Sequence, residues 1–249
     1  MKRIDPEIPE GREFFRRLQV QIFDHCVAST DQFLERDSQV ALQVDHLGTV
    51  LSLMDRLSSC YWGCHQGDHL KEYLIGRACT STSAGWILVQ HGHYDASLGI
   101  ARDIGEIANL LMLFSADVGA FERWRSSDDR ARMRDFKPSE VRRTLEQLRV
   151  PTLVGRDIYK VLSERATHVT PSTRPELHSN VDHPLAGGSF QEDGVRMCIA
   201  HIGFAVGMTA LSATRLLRPA EFRAAAIVAA ASDLIDSVRS VDSSGATYQ

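Results

Sequence analysis

Arg102 and Glu106 stand one helical turn apart in HYDASLGIARDIGEIANLL, so a guanidinium and a carboxylate share one helix face. In solvent such a pair contributes only about 0.2–0.5 kcal/mol, and the Arg-first order is the weaker one. The surroundings point elsewhere. Ala101, Ile104 and Ala108 form an apolar stripe beside the pair, and Leu98, Gly105 and Asn109 share its own side. A pair this close to a packed face needs further hydrogen-bond partners, because a half-buried charge left unmatched is costly. The second stretch with suitable groups is YKVLSERATH, which carries Tyr159, Ser163 and His168. Together these five residues make a polar cleft that suits a phosphate-bearing ligand. Arg102, Glu106, Tyr159 and Ser163 are its candidate binding residues, and His168 is a candidate general base.

Arg196-x4-His201 is a second combination with chemical meaning, since a guanidinium can hold a phosphate while an imidazole moves a proton at a 2′-hydroxyl. With this many arginines and ten histidines in the chain, roughly three such spacings arise by chance, and the sequence holds one. Arg196 and His201 therefore enter as catalytic candidates on chemistry alone. Cys60-x3-Cys64-His65-x3-His69 offers zinc-type ligands, but on a continuous helix the two pairs face different ways. His168, His178, Asp182 and His183 match no known ligand spacing. No metal and no other cofactor is expected.

The elements that must position these groups are helices. Phe15, Leu18, Ile22, Cys26, Ser29 and Phe33 mark one face of a first helix. Val40, Val44, Leu47, Leu51, Met54, Ser58 and Tyr61 repeat with a period near 3.5, an apolar seam that antiparallel packing within the chain explains. A third helix is expected from about Asp68, with a break at Gly92 before the Arg102 helix. Phe121 to Arg134 reads as a shorter charged helix, and Pro138 suits the first position of the next. Arg156–His168, Ser189–Leu217 and Ala220–Val238 complete the set. No alternating run with hairpin signals occurs. The expected fold is all-α: one domain over 1–249 with seven to nine helices, disordered tails near 1–9 and 241–249, and one long irregular loop near 169–188. A long connection of this kind commonly covers a site.

The bulk numbers fit that picture. The chain has 249 residues, 43% of them apolar, and a formal net charge of -4, which gives no global electrostatic footprint for nucleic acid. All but Lys2, Lys71, Lys137 and Lys160 of its 28 basic residues are arginine. The Glu122–Arg149 region is the most basic, yet its charges are of mixed sign, as on a solvated helix face. Five cysteines, odd in number and set in helical patterns, suggest a reduced, cytoplasmic protein. Met197–Thr214 lacks charge and contains Gly203-x3-Gly207, but it carries His201 and many small residues, so a buried helix is expected rather than a membrane span.

Four patterns in order, HYDASLGIARDIGEIANLL, FERW, FKPSEVRR and YKVLSERATH, resemble a family of bacterial all-helical proteins that share an Arg-x3-Glu helix and a later Tyr-x2-Leu-Ser…His segment. The likeness covers about Tyr94 to His168 and implies a helical bundle, with Arg102, Glu106, Tyr159, Ser163 and His168 at the matching positions. A looser similarity, in helix number and the late Arg196/His201 pair, is to HEPN-type helical domains and implies a defence-associated ribonuclease. Met197 stands where a polar residue is usual in that motif. Two functions are thus expected from different classes. One is a cleft binding RNA or a nucleotide, with or without cleavage. The other is a non-catalytic module whose polar set is a buried clasp and which self-associates through small-residue helices.

Overall fold

The computed structural model describes residues 11–62, 69–166 and 187–239. Its helices are α1 (Arg12–Leu18), α2 (Asp24–Arg36), α3 (Ser38–Ser58), α4 (Leu70–Gln90), α5 (Tyr94–Ala116), α6 (Val118–Ser126), α7 (Asp129–Asp135), α8 (Pro138–Gln147), α9 (Arg156–Ala166), α10 (Glu192–Leu217) and α11 (Glu221–Arg239). No strand occurs among the described residues, and the fold is all-α. The greater part of the predicted 169–188 loop lies outside the described residues, as do His168, His178, Asp182, His183, Cys64 and His65.

Helix α5 is the centre of the bundle because its apolar residues run nearly all round it, so several neighbours are needed to cover them. Leu98, Ala101, Ile104, Ala108 and Leu111 are fully buried. Its main neighbour is α10, with α4 and α9 on other sides. The α3 seam packs within the chain as far as Met54, with Val40, Leu47 and Met54 buried and α3 against α11, α10 and α4, but Tyr61, its last expected member, lies beyond the helix and is exposed. Ahead of it Asp37 supplies the cap, its Oδ1 accepting from Val40 N at 3.0 Å.

Helix α10 is long and apolar enough to cross a membrane, and 72% of its most apolar window is buried among the other helices. Its two glycines explain how closely α11 approaches. A Cβ on Gly203 would lie 3.0 Å from Val238 Cγ1, and one on Gly207 would lie 2.6 Å from Ile235 Cγ1. The small-residue seam is therefore covered within the chain. Self-association, if built on small residues, has to use another face.

Eleven α-helices are described where seven to nine were expected, because two expected helices are each split, and α10 begins at Glu192 and not at Ser189. A π turn at Gln19–Phe23 interrupts the first helix, and α1 ahead of it buries no residue. The stretch expected as one helix from Phe121 to Arg134 is two. Asp117 starts α6 three residues early by accepting from Gly119 N and Ala120 N, and Asp128 starts α7 by accepting from Ala131 N at 2.7 Å. These helices enclose a smaller core in which the Phe114 and Phe121 rings meet edge to face at 5.3 Å.

Gly92 makes the predicted break. It has φ 76, and a Cβ there would fall 2.5 Å from Ser189 N, so the α4–α5 turn needs glycine both for its backbone angle and for the chain that crosses it. The crossing is fastened by Tyr94 Oη, which accepts from Gln191 N at 2.9 Å.

Candidate functional site

Tyr159 is the centre of the polar cluster. It lies on α9, which packs along α5, and its hydroxyl accepts from Arg102 Nη2. The same nitrogen is 2.9 Å from Glu106 Oε1, and Arg102 Nη1 is 3.7 Å from Asp103 Oδ1. The Arg102 guanidinium also sits over the Tyr159 ring, 4.6 Å from its centroid. A second guanidinium, from Arg142 on α8, stands 4.3 Å from the same centroid. One phenol thus ties together three helices, through its hydroxyl to α5 and through its π-system to α5 and α8.

The long-range pairing of the α5 pair with α9 is present through Tyr159. Ser163, one turn further on, is buried, but its Oγ has no hydrogen-bond partner among the described residues. His168 lies outside the described residues. Arg142 was not among the sequence candidates. It sits in the mixed-charge region, and no local spacing relates it to a tyrosine 17 positions later.

The cluster is under-bonded. Among the described residues Arg102 Nε, Arg142 Nη1 and Ser163 Oγ are buried donors without a partner, and Glu106 Oε1, though 2.9 Å from Arg102, makes no aligned hydrogen bond. Buried polar groups are ordinarily satisfied, so four such atoms in one neighbourhood mark it as unusual. Burial raises the Glu106 carboxyl above its ordinary pKa, against the opposing pull of Arg102 and the Tyr159 hydroxyl. For Arg102 the balance goes the other way. Burial disfavours its charge, but Tyr159 and Glu106 outweigh that and raise its pKa.

Beside the cluster, α4, α5 and the start of α8 enclose a cleft of about 230 Å³. Glu106 and Asp103 lie on one wall and Arg77 of α4 on another, above apolar residues that include Ile107, Leu110 and Val141. Asn109, also at this cleft, is a structural group: its Nδ2 donates to Val154 O, and its Oδ1 accepts from Leu153 N and Val154 N. It holds the chain entering α9, and so helps to place Tyr159.

Arg196 and His201 both stand on α10. Five residues along a helix is a rotation of about 140° beyond a full turn, so the two side chains leave different faces of α10. Arg196 is engaged by Asp37 at 2.6 Å and by Glu192 at 3.5 Å, and it covers the Phe33 ring at 4.7 Å. His201 is half-buried and has interactions of its own. Cys60 Sγ is 3.8 Å from His69 Nδ1, and no group of three or more His, Cys, Asp or Glu able to hold a metal occurs among the described residues. The basic α6–α8 region is largely self-neutralised, with Arg123 on Asp117, Arg132 on Asp129 and Arg143 on Glu140 at 2.5–2.6 Å.

Comparison with known proteins returns no matching family, no matching curated protein and no matching solved structure. The functional reading therefore rests on the geometry alone.

Proposed function

We propose that the protein is a non-catalytic helical module in which Arg102, Glu106 and Tyr159 form a half-buried clasp that fastens α9 to α5. The observation that carries this reading is the closure of the Arg102 guanidinium. Its side chain is 21% exposed, and Tyr159 Oη, Glu106 and Asp103 already occupy its Nη atoms. A phosphate needs an open guanidinium face, and here the open edge is shut off from solvent. Two carboxylates beside it also oppose a dianion.

A second reading, a site for the phosphate of a nucleotide or RNA, has one observation in its favour. Arg102 Nε and Arg142 Nη1, both beside the Tyr159 ring, and Ser163 Oγ one turn along α9 are donors without a partner among the described residues, and an anion would satisfy them. In that reading His168 is the general base, with Arg196 and His201 in the HEPN-type variant.

Calorimetric titration with ADP and with a short single-stranded RNA separates the two, together with incubation of total RNA with wild type, His168→Ala and His201→Ala. The clasp predicts no saturable heat and no cleavage. Saturable binding that Arg142→Ala abolishes, or cleavage that either histidine variant removes, would establish the phosphate site instead.

A further inference from the structure

Arg77 is an exposed guanidinium on α4 with no carboxylate at ion-pair distance among the described residues. Across the cleft, Asp103 is half-exposed and touches only the edge of Arg102 at 3.7 Å, while Glu106, paired with Arg102 at 2.9 Å, also lines the cavity. The antiparallel register brings them level. Ser97 Oγ donates to Gly85 O, so stepping back along α4 and forward along α5 sets Arg77 opposite the 103–106 turn. Opposite charges thus line the same small cavity without neutralising one another. Beneath them the floor is apolar: Ile107 and Val141 are buried, and Leu110 and Phe136 are half-buried.

We propose that this cleft binds a free α-amino acid with an apolar side chain. Its ammonium lies between Asp103 and Glu106, its carboxylate on Arg77, and its side chain against Ile107, Leu110 and Val141. Each part of the ligand answers one feature of the cavity. An inorganic anion would meet two carboxylates, a simple amine would leave Arg77 unmatched, and a fatty acid would bring a negative charge to the cavity without an ammonium to face Asp103 and Glu106. Bidentate guanidinium–carboxylate geometry favours the carboxylate of the ligand over a halide. The volume, about 230 Å³, is below the range of about 300–1,000 Å³ taken by drug-sized molecules, and it suits a ligand of amino-acid size. The inference rests on the clasp reading, because the Arg102–Tyr159 contact is what holds Glu106 at the wall.

The test is calorimetric titration of the full chain with L-leucine and L-phenylalanine. Glycine, 3-methylbutylamine and N-acetyl-L-leucine serve as probes lacking the side chain, the carboxylate and the ammonium respectively. Saturable binding of leucine or phenylalanine is expected, at least tenfold weaker for each control and for the surface variants Arg77→Met and Asp103→Asn. Absence of saturable binding by the folded wild type at millimolar ligand would overturn the proposal. So would equal binding of the amine, or unchanged affinity in Arg77→Met. Failure of the clasp appears elsewhere, as independence of Arg102 and Tyr159 in unfolding, so the two outcomes are distinguishable.

Discussion

Tyr159→Ala is expected to lower the unfolding free energy by about 3 kcal/mol in urea denaturation. Two cation–π contacts of roughly 0.5–2 kcal/mol each disappear. The Arg102 bond to the hydroxyl is lost as well, and a buried charge-assisted partner left unmatched costs roughly 1.5–3 kcal/mol. These terms overlap, because water entering the vacated space recovers part of the loss. Tyr159→Phe keeps the ring against both guanidiniums and removes only the hydroxyl, so about half of that loss is expected. A change under about 0.5 kcal/mol in Tyr159→Ala, the range of ordinary surface substitutions, would show that the cluster holds nothing together.

Gly207→Leu is expected to cost about 2–3 kcal/mol and to lower the melting temperature by roughly 5–10 °C in a calorimetric scan, given the scaling for chains of this size. Its Cβ alone would fall 2.6 Å from Ile235 Cγ1 and 3.3 Å from the Ala231 carbonyl, and the carbonyl cannot rotate away. Separation of α10 from α11 is then the only relief, and it exposes Leu234 and Ala231, which are now fully buried. The gain from replacing a mid-helix glycine, at most about 1 kcal/mol, opposes the loss without cancelling it. An unchanged or raised melting temperature would mean that α11 does not pack against this seam.

These two sites illustrate what a single sequence discloses. The glycine seam was visible as a Gly-x3-Gly spacing in an uncharged run, and only its partner had to come from the structure. The apolar periodicities around Leu98 and Val40 likewise predict α5 and α3, because burial repeats with the helical turn. The break between α6 and α7 was also present as a signal, since Asp117 and the Ser127–Asp128 step are ordinary N-cap residues; charge density in the surrounding stretch obscured it. The contacts of the cluster were legible only in part. Arg102 and Glu106 announce themselves by spacing, and Tyr159 by sharing a segment with Ser163. Arg142 reaches the tyrosine ring across the α8–α9 junction, and Asp37 meets Arg196 from 159 positions away. No local pattern encodes such meetings. They follow from how the helices cross, which depends on small residues such as Gly105, whose Cβ would lie 2.8 Å from Val154 Cγ2 and push the start of α9 outward. Arg77 was silent for the same reason, as its place at the cleft comes from the α4–α5 register and not from its neighbours in the chain.

Whether one phenol fastens α9 to the centre of the bundle is tested most directly by a double-mutant cycle between Arg102→Ala and Tyr159→Phe, with unfolding free energies from urea titrations of all four proteins. Residues in direct contact within one polar network couple by about 0.5–3 kcal/mol. The clasp predicts at least about 1 kcal/mol here, with the double variant little worse than Arg102→Ala alone. Additivity of the two single losses to within about 0.3 kcal/mol would contradict it.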